Sequence, residues 1–345
     1  MEQETKTYNS IDLFSGCGGL TEGMHQAGFN TKVAVEIVED AVAAFKLNHE
    51  STHVIQKDIR SVSGSDIKKI LKRDPLHLLA GCPPCQGFSS IRRLNKRQCV
   101  RDDRNALVLE YLRLVKELSP FTIMMENVPG LKDYYLFKEI VSELYNMGYD
   151  PQVEIVNVRD YGVPQNRKRL VMVGSLLGKI EVAKPTRQKV TVRDAIGKLE
   201  SLDSTTDAIH KVIPVHTSQV MERIQITPKN GGSWKDLPSK YKLKCHKAKN
   251  IGFNDVYGRL RWDDYSTTIT GGCLNPSKGR FLHPEENRCI SAREAALLQS
   301  FPRNYKFPLN IPKTALALLI GNALPPKFSY YQSINIKEHI AQHLG

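Results

Sequence analysis

Two cysteines three positions apart lie in the stretch "LLAGCPPCQGFSS", residues 78–90. That spacing fits a redox pair, half of a metal site, or one nucleophilic thiol beside an inert one. A structural zinc site needs about four ligands, usually in two close pairs. The other cysteines, Cys17, Cys99, Cys245, Cys273 and Cys289, are scattered, and the adjacent Cys245–His246 supplies no second pair, so no metal is expected. An odd count of seven at wide spacing also argues against a disulfide framework. Pro83 and Pro84 fix φ just before Cys85 and stiffen the turn. A stiff turn that presents one thiol suits a nucleophile, because the thiolate is the attacking species and its position must be fixed. A redox dithiol normally opens a helix, whereas "QGFSS" and a polar loop follow here. Cys82 is therefore expected to pack at the strand end, and Cys85 to be the reactive thiol.

Other residues could share that chemistry. The loop Ser89–Asn105 carries Arg92, Arg93, Lys96, Arg97, Arg101 and Arg104, a basic flap suited to gripping phosphates. "MMENVPG" places Glu126 after a run of apolar residues, which predicts a desolvated carboxyl able to hold a proton near neutral pH. "VPQNRKRLVMVG" sets Arg167 and Arg169 at alternate positions beside a strand, on one face, as fixed donors for a carbonyl oxygen or phosphate. "DLFSGCGGL" puts Gly16, Gly18 and Gly19 between a strand and a helix, where the backbone can turn tightly against a ligand. The dinucleotide fingerprint is incomplete, since Thr21 stands where its third glycine would be. Glu36 ends the next strand, placed to accept from ribose hydroxyls, and Asp58 ends the third, placed to accept from an exocyclic amine. Together these predict an adenosine-containing cofactor.

The elements that must position these residues alternate. "SIDLF", "KVAVEI", "HVIQKDI", "PLHLLAG", "PFTIMMEN", "QVEIVNV" and "RLVMVGSL" read as strands. Between them, "EDAVAAFKLNH", "SDIKKILKR", "RNALVLEYLRLVKEL" and "YLFKEIVSELYNMG" read as helices, the second with Ser65 or Asp66 as its N-cap and the last ended by Gly148. The pattern predicts an α/β, Rossmann-like, mostly parallel sheet with helices on both faces. Ligands then bind at the C-terminal strand edges, where "FSGCGG", "GCPPCQGFSS" and "ENVPG" all fall. From about Ala183 the chain turns basic and turn-rich. Trp234, Tyr241, Phe253, Tyr257 and Trp262 give it core material, so a second, irregular domain is expected rather than disorder.

At 345 residues the chain suffices for a large domain and a smaller one, and no apolar run approaches a membrane span. The polar start "MEQETKTYNS" does not read as a secretory signal, so an intracellular protein is expected. The net charge of +13 fits a polyanionic partner.

Taken in order, these stretches resemble the cytosine-carbon-5 DNA methyltransferase family. "DLFSGCGG" is similar to its cofactor loop, "GCPPCQGFS" to its nucleophile motif and "ENV" to its acid motif. "QNRKR" matches its Q-x-R-x-R motif, "SAREAALLQSFP" its R-E-x-A-x-x-Q-x-F-P segment and "GNALPP" its G-N-x-x-P motif. The resemblance implies that Cys85 adds to carbon 6 of a cytosine flipped out of duplex DNA. Carbon 5 then takes the methyl group of S-adenosyl-L-methionine, and loss of its proton with expulsion of the thiolate restores the base. Glu126 would contact N3 and the exocyclic amine, Arg169 would hold the carbonyl oxygen and Arg167 would support the site. Phe14, Gly16, Cys17, Gly18, Gly19, Glu36, Asp58, Pro83 and Asn322 map to cofactor positions. The expected domains are a catalytic one over 1–182 completed by 312–345, and a target-recognition domain over 183–311. In the latter, "YGRLRWDDYSTTITGG" offers Arg259 and Arg261 as DNA contacts.

With no regulatory domain ahead of the catalytic fold, a bacterial or phage modification enzyme is expected. It would be a monomer in the cytoplasm at the nucleoid, with a restriction endonuclease acting separately and no membrane partner. Two other readings make distinct predictions. A transfer-RNA cytosine methyltransferase of the same fold would usually carry Cys-Phe-Thr after the acid motif, which is absent. A thiol-redox nucleotide-binding protein would lose function as fully at Cys82→Ser as at Cys85→Ser, whereas the methyltransferase reading predicts tolerance at Cys82.

Overall fold

The computed structural model describes residues 7–84, 106–243 and 255–344. Cys85, the basic flap and Phe253 lie outside the described residues. Seven strands form one sheet: β1 (Tyr8–Leu13), β2 (Phe29–Val35), β3 (His53–Ile55), β4 (Leu78–Gly81), β5 (Thr122–Asn127), β6 (Gln152–Asn157) and β7 (Lys168–Ser175). Their order is β3-β2-β1-β4-β5-β7-β6. The first five pair in parallel, and β7 runs antiparallel to both β5 and β6. Strand order reverses between β1 and β4. At such a switch point a crevice opens beyond the C-terminal strand ends, and both the glycine loop and the proline turn leave the sheet there.

One face of the sheet is continuous core. Ile11, Leu13, Leu79, Ile123, Met125, Leu170 and Met172 point to it by strand alternation and are fully buried. Helices α1 (Gly19–Gln26), α2 (Glu39–Lys46), α3 (Gly64–Leu71), α4 (Leu107–Leu118) and α5 (Tyr135–Asn146) follow the strands as their apolar spacing predicts. In α4, Val108, Tyr111, Val115 and Leu118 recur at helical spacing and seat against that face. Tyr111 keeps its hydroxyl satisfied there by donating to the carbonyls of Leu79 and Met124. The cap of α3 is Ser63, not Ser65 or Asp66: its hydroxyl accepts from the Asp66 amide, so the helix starts at Gly64. Gly148, at φ 91°, ends α5 as expected. Only His53–Ile55 of the predicted third strand pairs in the sheet.

The chain divides into two compact units. The first is Met1–Tyr161, Lys168–Thr186 and Leu324–Gly345; the second is Gly162–Arg167 and Arg187–Ala323. The last helix, α10 (Pro326–Leu344), belongs to the first unit and packs on α1. Ser329 donates from Oγ to the Leu20 carbonyl, and Gly23 is small because a Cβ there would lie 2.4 Å from that of Ser329.

The second unit holds α6 (Val192–Ile196), α7 (Ser218–Ile226), α8 (Ala292–Leu298) and α9 (Lys313–Asn322) among long irregular segments. Trp234, Leu237 and Tyr257 form one of its cores, with Tyr241 against them, and Trp262 is buried as well. The α9 segment was expected with the catalytic domain, yet it falls here. The reason is local: the Gln299 amide donates to the carbonyl of Ile320, and a Cβ on Gly321 would lie 2.1 Å from the Thr270 carbonyl carbon.

Candidate active site

The site in the first unit begins with strand register. β5 and β7 pair with Glu126 opposite Val171, so Arg169, two residues before Val171, shares a face with Glu126 on the diagonal. Arg169 Nε lies 2.7 Å from Glu126 Oε1. Glu126 is 8% exposed, and a nearly dry ion pair needs such close geometry to offset desolvation. Burial pulls the guanidinium below its ordinary pKa, and the Glu126 charge opposes that. The desolvated carboxyl expected from the sequence is thus also paired with an arginine, because β7 folds back antiparallel beside β5.

Asn127, the next residue, braces the proline turn. Its amide nitrogen donates to the Pro83 carbonyl at 2.8 Å, while its oxygen accepts from the Val128 amide. Pro83 is buried and leads directly toward Cys85. Cys82 sits at the end of β4, partly buried, with its amide donating to the Leu13 carbonyl. Burial, and then the Glu126 and Asp12 carboxylates, push its thiol well above the ordinary range. It stays a protonated, unreactive thiol at neutral pH.

The glycine loop is held by Glu36. One carboxylate oxygen accepts from the Gly16 amide at 2.8 Å, and the other from Ile37 and Val38. Phe14, Gly16 and Gly18 all take positive φ, and Gly18 caps α1 in the left-handed region, with Gly19 as its first residue. Cys17 is buried, with its thiol pushed up to about 12 by desolvation, so only its backbone can face a ligand. Asp58 caps a 3-10 turn, accepting from the Arg60 amide, and also pairs with the Arg60 side chain. Behind the loop, the buried Asp12 accepts from Thr21 Oγ1 at 2.6 Å, and desolvation lifts its pKa to about 7.

These residues fit an adenosine-bearing group. A Cβ placed on Gly16 would meet nothing within 4 Å, so open space adjoins the loop. Ile37 and Val38 lie exposed beside the acceptor Glu36, giving an apolar wall next to a carboxylate.

Arg167 lies just before β7 and Arg169 within it. Arg167 belongs to the second unit, where Nη1 donates to the carbonyls of Ile269 and Gly321. Its neighbour Gln165 donates to Gln299 Oε1 and accepts from the Ile269 amide. "QNRKR", "SAREAALLQSFP" and "GNALPP" are therefore knit by side-chain amides, roles that residue type alone did not reveal. Asn322 ends α9 in that unit and is exposed.

Arg259, read from the sequence as a DNA contact, is instead fully buried. Its guanidinium donates to the carbonyls of Thr227, His283, Glu286 and Ile224 and to Asn287 Oδ1. It ties loops together and has no donor left over. Arg261 is different: its side chain is 59% exposed, with the Asp264 carboxylate 3.9 Å away. It borders a cavity of about 450 Å³ with Gly231, Gly232, Lys235 and Arg280. Gly231 takes φ 115° and lies under the Arg261 side chain, where a Cβ would fall 2.5 Å from Nε.

A model of C-5 cytosine-specific DNA methylases matches residues 8–338. The chain belongs to the C-5 cytosine-specific DNA methylase family. It is therefore an enzyme, a DNA cytosine-C5 methyltransferase. Over 328 residues this methylase is 35% identical to the Type II methylase M.HgiDII of Herpetosiphon aurantiacus, covering 91% of each chain. It is 32% identical to the Type II methyltransferase M1.HphI of Haemophilus parahaemolyticus, covering 92% of this chain and 83% of that one. A solved E. coli protein, described as a prophage-encoded DNA modification methyltransferase, superposes with TM-score 0.73 at 26% identity, covering 97% and 99% of the two chains. The S. pombe Dnmt2 methyltransferase, at 20% identity and TM-score 0.63 over 96% and 99%, shares the methylase fold.

Proposed function

We propose that this methylase modifies carbon 5 of a cytosine within a specific duplex DNA sequence, using Cys85 as nucleophile and S-adenosylmethionine as methyl donor. The observation that carries the reading is the Arg169–Glu126 pair, 2.7 Å apart beside the turn that leads to Cys85. The Cys85 thiolate would add to carbon 6, leaving the electron pair at carbon 5. As the thiolate adds, N3 becomes basic, and Glu126, entering the step with a proton, would donate it to N3 while accepting from the exocyclic amine, so that negative charge does not build on the ring. Arg169 holds the Glu126 carboxylate in place and offers a donor to the carbonyl oxygen. Arg167 is held within the second unit, where it donates to the carbonyls of Ile269 and Gly321. When bound, S-adenosylmethionine supplies an electrophilic methyl group to carbon 5. Removal of the carbon-5 proton and departure of the thiolate restore the aromatic ring. Because the ring is stacked inside the duplex, it must be flipped out to reach the thiol.

Phe14, the backbone of Gly16, Cys17, Gly18 and Gly19, the Glu36 and Asp58 carboxylates and Pro83 would hold the cofactor. Residues 183–311 would recognise the target, with Arg261 on DNA phosphate. The Type II names of the relatives support a bacterial modification enzyme with a separately acting restriction endonuclease. Among the described residues no helix is long and apolar enough to cross a membrane, and we place the enzyme, as a monomer, with the cell's DNA. The test is a tritiated-methyl assay with sequencing of converted DNA from expressing cells. Label on cytosine carbon 5 at one recurrent duplex sequence is expected. Label on RNA and never on duplex DNA would overturn the reading in favour of an RNA methyltransferase.

A further inference from the structure

Four polar groups line one sheet face at the C-terminal strand ends. Asp12 on β1 is level with Ala80 of β4, which places Cys82, two residues on, toward the same face. The Cys82 amide still donates to Leu13, so the β1–β4 ladder continues through it beyond the strand end. Gly81 is level with Met125 of β5, so the next rung sets Cys82 beside Glu126. On the far side of Glu126, across β7, stands Arg169. In order across the face, then, come Asp12, Cys82, Glu126 and Arg169. Glu126 has a cation on one flank and a thiol on the other.

We propose that Cys82 is a positioning residue: its S–H donates to the Glu126 carboxylate and, with Arg169 on the opposite flank, fixes that carboxylate's orientation. A thiol is a weak donor, but it strengthens toward a charged acceptor in a dry site. Two carboxylates beside Cys82 disfavour its thiolate, which keeps the proton on sulfur and the donor in place. A bystander would need only volume, and the tolerance at this position narrows to side chains that keep a donor. The inference rests on the reading of Glu126 as the acid that contacts the base.

Steady-state methylation by Cys82→Ser, Cys82→Val, Glu126→Ala and the Cys82→Val/Glu126→Ala pair tests it, with melting temperatures to confirm folding. Cys82→Ala replaces Cys82→Val should the branched side chain not fit. The serine variant should keep kcat within about twofold. The valine variant should lose about five- to tenfold in kcat, the worth of one ordinary hydrogen bond because a thiol donates weakly, with KM for cofactor and DNA within about twofold. Without the acceptor, in the Glu126→Ala background, the same change should cost less than about twofold more. Full activity of the valine variant, a serine variant as impaired as valine, or losses that add across the pair would each overturn the proposal. A fully active Glu126→Ala enzyme would instead refute the reading of Glu126 itself. Loss at Cys82→Ser as complete as at Cys85→Ser would refute both and favour the redox pair.

Discussion

Arg169 reaches Glu126 because β7 returns antiparallel beside β5, not because the two are near in sequence. Replacing Glu126 by Gln keeps the shape and removes the charge. Single-turnover methylation should then fall on the order of 10²–10³-fold, the usual loss when one preorganised electrostatic partner is removed. Asp12 makes a different prediction. Its pKa in the fold is about 7, raised above the unfolded value by burial first. Between about pH 4 and 7 the folded state therefore binds a proton that the unfolded state has lost, so stability declines as pH rises through that window. Asp12→Asn removes the titration. Its melting temperature relative to the parent should be higher at pH 8 than at pH 5, corresponding to ~2–4 kcal/mol at most. A difference independent of pH would show that Asp12 does not titrate in that range.

At the scale of the elements, the proline turn and the glycine loop are held by side chains on neighbouring strands. Asn127 fixes the Pro83 carbonyl. Asn127→Ala should lower kcat about tenfold while cofactor binding, measured by calorimetry, stays within about twofold. In the second unit, Gly321 packs flat on the Thr270–Gly271 backbone. Gly321→Ala should cost about 3 kcal/mol in denaturant unfolding, since backbone, unlike a flexible side chain, cannot yield to an added methyl. Much of this layer was legible beforehand. Apolar alternation and helical spacing placed the strands and α4, and Gly148 ended α5. The Ser63 cap was missed because Ser63, Ser65 and Asp66 all suit capping, and only the chain path decides among them. The Arg169–Glu126 pair was missed because register across β5 and β7 is a tertiary fact. Arg259 and Arg261 looked alike in sequence, yet one is sealed under five acceptors and the other reaches solvent. Burial separates them, and residue type does not carry it.

For the molecule as a whole, the charge of +13 bears on a polyanion. Each phosphate neutralised by a cationic side chain steepens the fall of affinity with salt. Arg261→Ala should leave the melting temperature within about 1 °C and reduce the slope of log K against log salt by about one, uniformly across sequences. Arg259→Ala should unfold more readily by ~3–5 kcal/mol, because several buried carbonyls lose their donor. An unchanged salt slope for Arg261→Ala would remove that arginine from the DNA interface. The central claim is that one thiol of the Cys-Pro-Pro-Cys stretch forms a covalent bond to the base. It is tested most directly by incubating the enzyme and S-adenosylmethionine with duplex DNA whose cytosines are 5-fluorocytosine, then mapping the adduct by peptide mass spectrometry. A base linked to Cys85, formed by the parent enzyme and by Cys82→Ser but not by Cys85→Ser, is the result predicted; an adduct on Cys82, or none with an enzyme that still methylates DNA, would contradict it.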